Sequence, residues 1–210
     1  MTIRPVAILG GTFDPVHIGH LNAAWEVAGL LDAEVRLVPA KVPPHRPAPV
    51  ATAAQRVAML RAALAGQSRL SLDTRELERE GPSYTIDTLT ALRAELGERP
   101  LVLLLGEDAF AGLPTWHRWR ELFDVAHLGV LTRPGSPLPL PPALRAAIHA
   151  RVVEPARLGE VAAGHVAALP VTPLEISATR VRELLAAGQL PRYLLPHGLV
   201  EHAAWLAPYR

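Results

Sequence analysis

Six short apolar runs set the pattern of this sequence: Val6–Leu9, Val35–Val38, Arg69–Leu72, Leu101–Leu105, Leu128–Leu131 and Val166–Val171. Taken together they lack the regular polar alternation of half-exposed strands, which is how strands of a parallel sheet covered on both faces read. Between them lie helical patterns at about Ile18–Leu30, Ala53–Ala65, Ile86–Glu95, Trp119–Phe123 and Ala143–Ala150, then Ala178–Ala187 and a tail segment at Gly198–Leu206. Strands alternating with helices predict an α/β fold, a doubly wound and mostly parallel open sheet with helices on both faces. Ligands of such sheets sit beyond the C-terminal ends of the strands, where the strand order reverses.

Composition excludes several kinds of chemistry. The 210 residues include no cysteine, so disulfides, thiolate zinc sites and thiol nucleophiles are out. A formal net charge of +1 gives no general attraction to nucleic acid or anionic membrane. Lys41 is the only lysine, so a Gly-Lys-Ser/Thr phosphate loop cannot occur. Any phosphates must be held by arginine, histidine and backbone N–H groups. The segment Met1–Pro5 leads into a strand pattern rather than a secretory leader, and no apolar run approaches the roughly 20 residues that span a bilayer. A single domain over residues 1–210, working in the cytoplasm, is the expectation.

The first strand runs into Gly10-Gly11-Thr12-Phe13-Asp14-Pro15-Val16-His17-Ile18-Gly19-His20. Paired glycines let the backbone turn tightly and approach a ligand, and the helix that follows offers its N-terminus to anions. Asp14 and Pro15 read as the N-cap and first-turn residue of that helix. His17 and His20 share one face near its positive end, where protonated imidazoles can donate to phosphate oxygens. The same spacing could supply two metal ligands, but the sequence offers no third nearby, so no zinc site is expected. After the second run, Pro39–Pro47 carries Lys41, His45 and Arg46 on a stiff backbone and reads as an active-site loop.

The glycine–histidine segment resembles the Gly-x-Phe-Asp-Pro-x-His-x-Gly-His signature of the nucleotidylyltransferase superfamily. Near the other end, Ile176-Ser177-Ala178-Thr179-Arg180-Val181-Arg182 resembles its Ile-Ser-Ser-Thr-x-x-Arg motif. Intermediate stretches resemble the bacterial nicotinate-mononucleotide adenylyltransferase family: Pro43-Pro44-His45-Arg46, Gly81-Pro82-Ser83-Tyr84-Thr85, Gly106-Glu107-Asp108, Trp116-His117-Arg118-Trp119, Arg133-Pro134 and Tyr193-Leu194-Leu195-Pro196. The chain departs from the pattern at Ala178, where serine is usual, at Arg46 in place of lysine, and at His117 in place of tyrosine. The glycine–histidine motif alone does not separate this family from adenylyltransferases of nicotinamide mononucleotide or phosphopantetheine, from cytidylyltransferases, or from a nucleotide-sensing module without turnover. The middle of the chain favours the pyridine nucleotide.

The resemblance implies a Rossmann-like fold and transfer of the adenylyl group of ATP to nicotinate mononucleotide, with release of pyrophosphate. It implies catalytic roles for His17, His20 and Arg182. Gly10, Gly11, Thr12, Phe13, Gly106, Asp108, Ile176, Ser177 and Thr179 would bind ATP, with residues 176–210 as a helical segment completing that site. His45, Arg46, Thr85, Trp116 and Arg133 would hold the mononucleotide. Trp25 and Trp119 read as packing aromatics, and Arg180 as a solvated helix position. Mg²⁺ is expected to arrive with ATP, held by phosphates and water rather than by a protein cage.

Overall fold

The computed structural model describes residues 4–41, 48–81, 83–132 and 139–210. Strand β1 (Val6–Gly11) leads into α1 (Ile18–Leu30), β2 (Glu34–Pro39) and α2 (Ala53–Leu64). Strand β3 (Leu70–Leu72) is followed by α3 (Arg75–Glu78) and α4 (Thr85–Leu96), and β4 (Leu101–Gly106) by α5 (Glu107–Ala111) and α6 (Leu122–Val125). Then come β5 (His127–Thr132), α7 (Pro142–Ile148), β6 (Val166–Pro170), α8 (Ala178–Ala186), α9 (His197–Glu201) and a 3₁₀ segment at Ala203–Tyr209.

The six strands form one sheet in the order β3-β2-β1-β4-β5-β6, with every neighbouring pair parallel. All six apolar runs are strands of it. Alternate residues of each strand feed opposite cores. Ala7, Leu9, Val35 and Leu37 face α1, α2, α8 and α9 through Val27, Met59, Leu60, Val181, Leu185 and Leu199. Val6, Ile8, Leu103 and Leu128 face the other layer, where Ile86, Leu89, Phe110, Leu122 and Leu144 pack. The sheet is doubly wound, a Rossmann-like arrangement. Its order reverses between β1 and β4, so the crevice for a ligand lies beyond Gly11 and Gly106.

Several elements differ from expectation, α3 among them, since its four residues show no periodicity. The short α5 was not foreseen, because five residues show no periodicity; it starts at Gly106 with Glu107 and Asp108 in its first turn, where acidic groups complement the helix dipole. The helix expected at Trp119–Phe123 is a 3₁₀ turn at Trp119–Glu121 followed by α6, entered through Arg118 at φ 52°. The tail helix breaks at His202 into α9 and the 3₁₀ segment, which continues to Tyr209. Among the described residues no helix is long and apolar enough to cross a membrane.

Candidate active site

The end of β1 is shaped by one aromatic ring. Phe13 turns back at φ 51° and is buried, and a side chain at Gly11 would meet its ring at 3.0 Å. Phe13 can therefore cover the strand end only because position 11 carries no Cβ. Among the described residues nothing lies within 4 Å of where a Cβ on Gly10 or Gly106 would stand, so both of these strand-end glycines open onto free space at the crevice. Thr12 sits between, its carbonyl accepting from the Arg56 guanidinium at 2.7 Å.

Helix α1 begins at Ile18, where its helical pattern predicts, but it is not capped by Asp14. Its N-cap is His17, in extended conformation. Asp14 instead lies buried and crosses to other elements. Its carboxylate accepts the N–H groups of Val50 (2.8 Å) and Ala51 (3.0 Å) before α2, and the Tyr209 hydroxyl at 2.8 Å. Burial is the reason: an enclosed carboxylate needs several donors, and those lie on the neighbouring segments rather than at the open helix end.

The two histidines are a single unit. Their rings stack with centroids 3.7 Å apart, and Phe13 meets His20 edge-on at 5.0 Å. The His17 N–H donates to His20 Nδ1 at 3.3 Å, which puts the proton of a neutral His20 on Nε2. His17 Nδ1 is buried and has no hydrogen-bond partner among the described residues. Burial lowers the His17 pKa to about 4, and burial together with the neighbouring His17 lowers that of His20 to about 3. Both imidazoles are therefore neutral in the free protein near pH 7. The His17 ring reaches its place across Gly19, where a Cβ would stand 3.1 Å from His17 Nδ1 and 3.6 Å from Ile176 Cβ. The sequence motif contains Gly19, but no role for it was foreseen.

The late motif closes on this loop from the other side. Ser177 caps α8 and accepts the Arg180 N–H at 3.1 Å, leaving its own O–H exposed. Arg182, one turn on, donates to the Asp14 carbonyl at 2.7 Å and to Thr179 Oγ1 at 3.3 Å. Glu26 of α1 accepts the Thr172 N–H at 2.6 Å and ties the segment before Ile176 to the same helix. His17, His20, Ile176, Ser177, Thr179 and Arg182 thus converge at one edge of the sheet. Arg180 points away, paired with Glu183 and mostly exposed.

Thr85 opens α4 behind Tyr84, whose ring lies 4.4 Å from that of His117. Trp116 and Tyr84 are half-buried against the same core layer, on the α4 side of the sheet. Asp108 is exposed beside Gly106 at the end of β4. Trp119 is buried as expected, but Trp25 is 50% exposed, because the inward stripe of α1 is Ala24, Val27 and Ala28 and Trp25 falls off it. His45, Arg46 and Arg133 lie outside the described residues.

Sequence reasoning missed Arg56. It is 1% exposed, and its Nη1 bridges the Thr12 carbonyl at 2.7 Å and the Ala40 carbonyl at 2.8 Å, bracing the glycine loop against the segment after β2. The signal was present, since Arg56 falls in the buried stripe of α2 with Met59, Leu60 and Leu64, where an arginine must have partners. Lys41 also serves as a brace, donating to the Arg79 carbonyl at 2.6 Å.

Known proteins match this arrangement along its length. A cytidylyltransferase-like family model matches residues 8–184. A protein of Pseudomonas syringae pv. tomato named probable nicotinate-nucleotide adenylyltransferase is 49% identical over 98% of this chain and 95% of its own length. One of the same name from Halorhodospira halophila is 49% identical over 97% and 95%. The fold also matches that of the Plasmodium falciparum nicotinic acid mononucleotide adenylyltransferase complexed with NaAD, with a TM-score of 0.70 over 96% and 97% of the two chains at 13% identity. The same enzyme complexed with APC matches with a TM-score of 0.67. With relatives this similar over nearly its whole length, and with the glycine–histidine loop and the Ser177–Arg182 turn brought together on one sheet edge, the chain belongs to the nicotinate-nucleotide adenylyltransferase family.

Proposed function

We propose that the two halves of this sheet edge form one ATP site, in which adenylyl transfer to nicotinate mononucleotide proceeds by positioning and charge stabilisation alone. The observation that carries this reading is the Arg182 guanidinium on the Asp14 carbonyl at 2.7 Å, which joins the late motif to the glycine–histidine loop. The attacking mononucleotide phosphate needs no general base, because its second pKa is about 6 and it is largely dianionic at neutral pH. It attacks the α-phosphorus in line, without a covalent intermediate, and the task left to the protein is to hold two polyanions together and stabilise charge at phosphorus.

His17 donates to the α-phosphoryl oxygens and His20 contacts the adjacent phosphates. Both start neutral and donate from an N–H, and the charge of a bound triphosphate favours their taking up a further proton. Gly10, Gly11, Thr12 and Phe13 supply the close backbone approach. Ser177, Thr179 and the N-terminus of α8 hold the β- and γ-phosphates, with Ile176 packing behind, and Arg182 neutralises the departing pyrophosphate. Gly106 and Asp108 border the adenosine. Trp116 stacks on the pyridine ring, Thr85 and the open N-terminus of α4 read its carboxylate, and His45, Arg46 and Arg133 take the mononucleotide phosphate.

Mg²⁺ fits this site as an ion carried by the nucleotide. Asp14 already accepts three hydrogen bonds, and among the described residues no group of three or more ligating side chains could cage a metal. Held by phosphate oxygens and water, the ion would supply further charge neutralisation on the triphosphate. The chain works as one domain over residues 1–210, with 176–210 completing the ATP half-site, and a cytoplasmic location follows from its need for ATP. The test is pyrophosphate release from ATP with nicotinate mononucleotide, run beside nicotinamide mononucleotide. A kcat/KM at least about tenfold higher for the acid is expected, and no release with either would refute the assignment.

A further inference from the structure

Asp14 and Arg182 stand close without forming a closed ion pair. Arg182 Nη1 is 2.7 Å from the Asp14 carbonyl oxygen but 4.0 Å from Oδ2 of its carboxylate. What satisfies that carboxylate instead is a set of neutral donors: the Val50 N–H on Oδ2, and the Ala51 N–H and Tyr209 hydroxyl on Oδ1. Arg56 faces the same carboxylate and phenol but spends its Nη1 on the two loop carbonyls. Tyr209 is 4% exposed, and burial with the adjacent carboxylate holds its hydroxyl firmly protonated, a permanent donor. Its sequence separation from Asp14 is 195 residues, and no motif of the active site includes it.

We propose that Tyr209 is a positioning residue for adenylyl transfer: by satisfying Asp14 it keeps the Arg182 guanidinium from closing onto that carboxylate and leaves its charge free for the triphosphate. The inference rests on the assignment of Arg182 to the leaving pyrophosphate. The physical ground is the enclosed carboxylate. Without the phenol, Oδ1 keeps only the Ala51 N–H, and the Arg182 guanidinium already has a nitrogen 4.0 Å from Oδ2. A charge-assisted bond in a dry site is stronger than the neutral one it replaces, so Arg182 swings inward. Its charge is then spent on Asp14 rather than on phosphate.

The experiment uses the full chain with Tyr209→Phe, which deletes one oxygen and keeps the ring. Forward kinetics with ATP and nicotinate mononucleotide, and reverse kinetics with pyrophosphate, are measured in the native background and in Arg182→Met. The expected result is a fall of about tenfold in kcat/KM for ATP and a matching rise in KM for pyrophosphate, with KM for the mononucleotide within about twofold. In Arg182→Met the same phenol deletion then has no further effect on the ATP-side constants, whatever it does to the melting temperature. Equal losses in both backgrounds, with Arg182→Met itself impaired, make Tyr209 a purely structural residue and overturn the proposal. Unchanged ATP-side constants in Arg182→Met alone remove the role of Arg182, and this inference with it.

Discussion

The ring of His20 accepts the backbone N–H of His17 while stacking on the ring of that same residue 3.7 Å away. One side chain is thus oriented by the backbone of the other, and Gly19 leaves the space in which the pair stacks. The consequences of this arrangement separate binding, chemistry and stability in ways that measurement can resolve.

Removing the His17 imidazole takes away a donor at the phosphorus while sparing the sheet. For His17→Ala, kcat should fall by about 10²–10³-fold, the cost of losing one preorganised donor. The melting temperature should drop by no more than about 5 °C. Turnover near that of the native chain would strip His17 of its role.

Gly19→Ala makes the opposite demand on the fold. Alanine is the better helix former by about 1 kcal/mol, so stability should hold or rise. A Cβ 3.1 Å from His17 Nδ1 must displace that ring, however. Turnover is therefore expected to fall by at least about tenfold. Thermal melts and pyrophosphate release on the same preparation check both halves, and a stable variant with native turnover would show that the ring position is not critical.

Proton linkage gives two signs to look for. The pKa values of His17 and His20 lie at about 4 and 3 in the fold, against 6.5 when unfolded. Between pH 6.5 and 4 the unfolded chain binds more protons, so stability is complete above 6.5 and is lost as pH falls through that window. Bound triphosphate acts the other way, because an anion favours imidazolium. Calorimetry of ATP binding at about pH 6, in buffers of different ionisation enthalpy, should reveal proton uptake that shrinks in His17→Ala. Heats that do not depend on the buffer would contradict it.

Trp116 lies on the α4 side of the sheet with Tyr84, away from the Ser177–Arg182 turn. Trp116→Ala should raise KM for the mononucleotide by about tenfold, roughly one stacking contact, with KM for ATP within about twofold. Equal shifts in both constants would argue against stacking on the pyridine.

The strands were legible because each is a short, mostly apolar run without regular polar alternation, and the longer helices because their period has room to register. Helix α5 was not, since five residues carry no period, and the left-handed Arg118 that splits the Trp119 segment leaves no mark in composition. In the site, the two motifs announced themselves through residue types that phosphate chemistry requires. Asp14 was misplaced because a carboxylate before a helix reads as a local cap, whereas its partners Val50, Ala51 and Tyr209 are distant in sequence. Gly19 acts through the space it leaves empty, which no spacing records, and Arg56 was marked only by its place in the buried stripe of α2.

The bond from Tyr209 to Asp14 spans 195 residues, and that from Arg182 spans 168. At translation rates of about 5–20 residues per second, the glycine–histidine loop leaves the ribosome roughly 10–40 s before its last brace exists. During that interval Asp14 lacks the phenol and the guanidinium that settle it, and the half of the crevice already made has no counterpart for a triphosphate tail. A growing polypeptide therefore gains the triphosphate half of its site only late in synthesis, Arg182 first and Tyr209 after it.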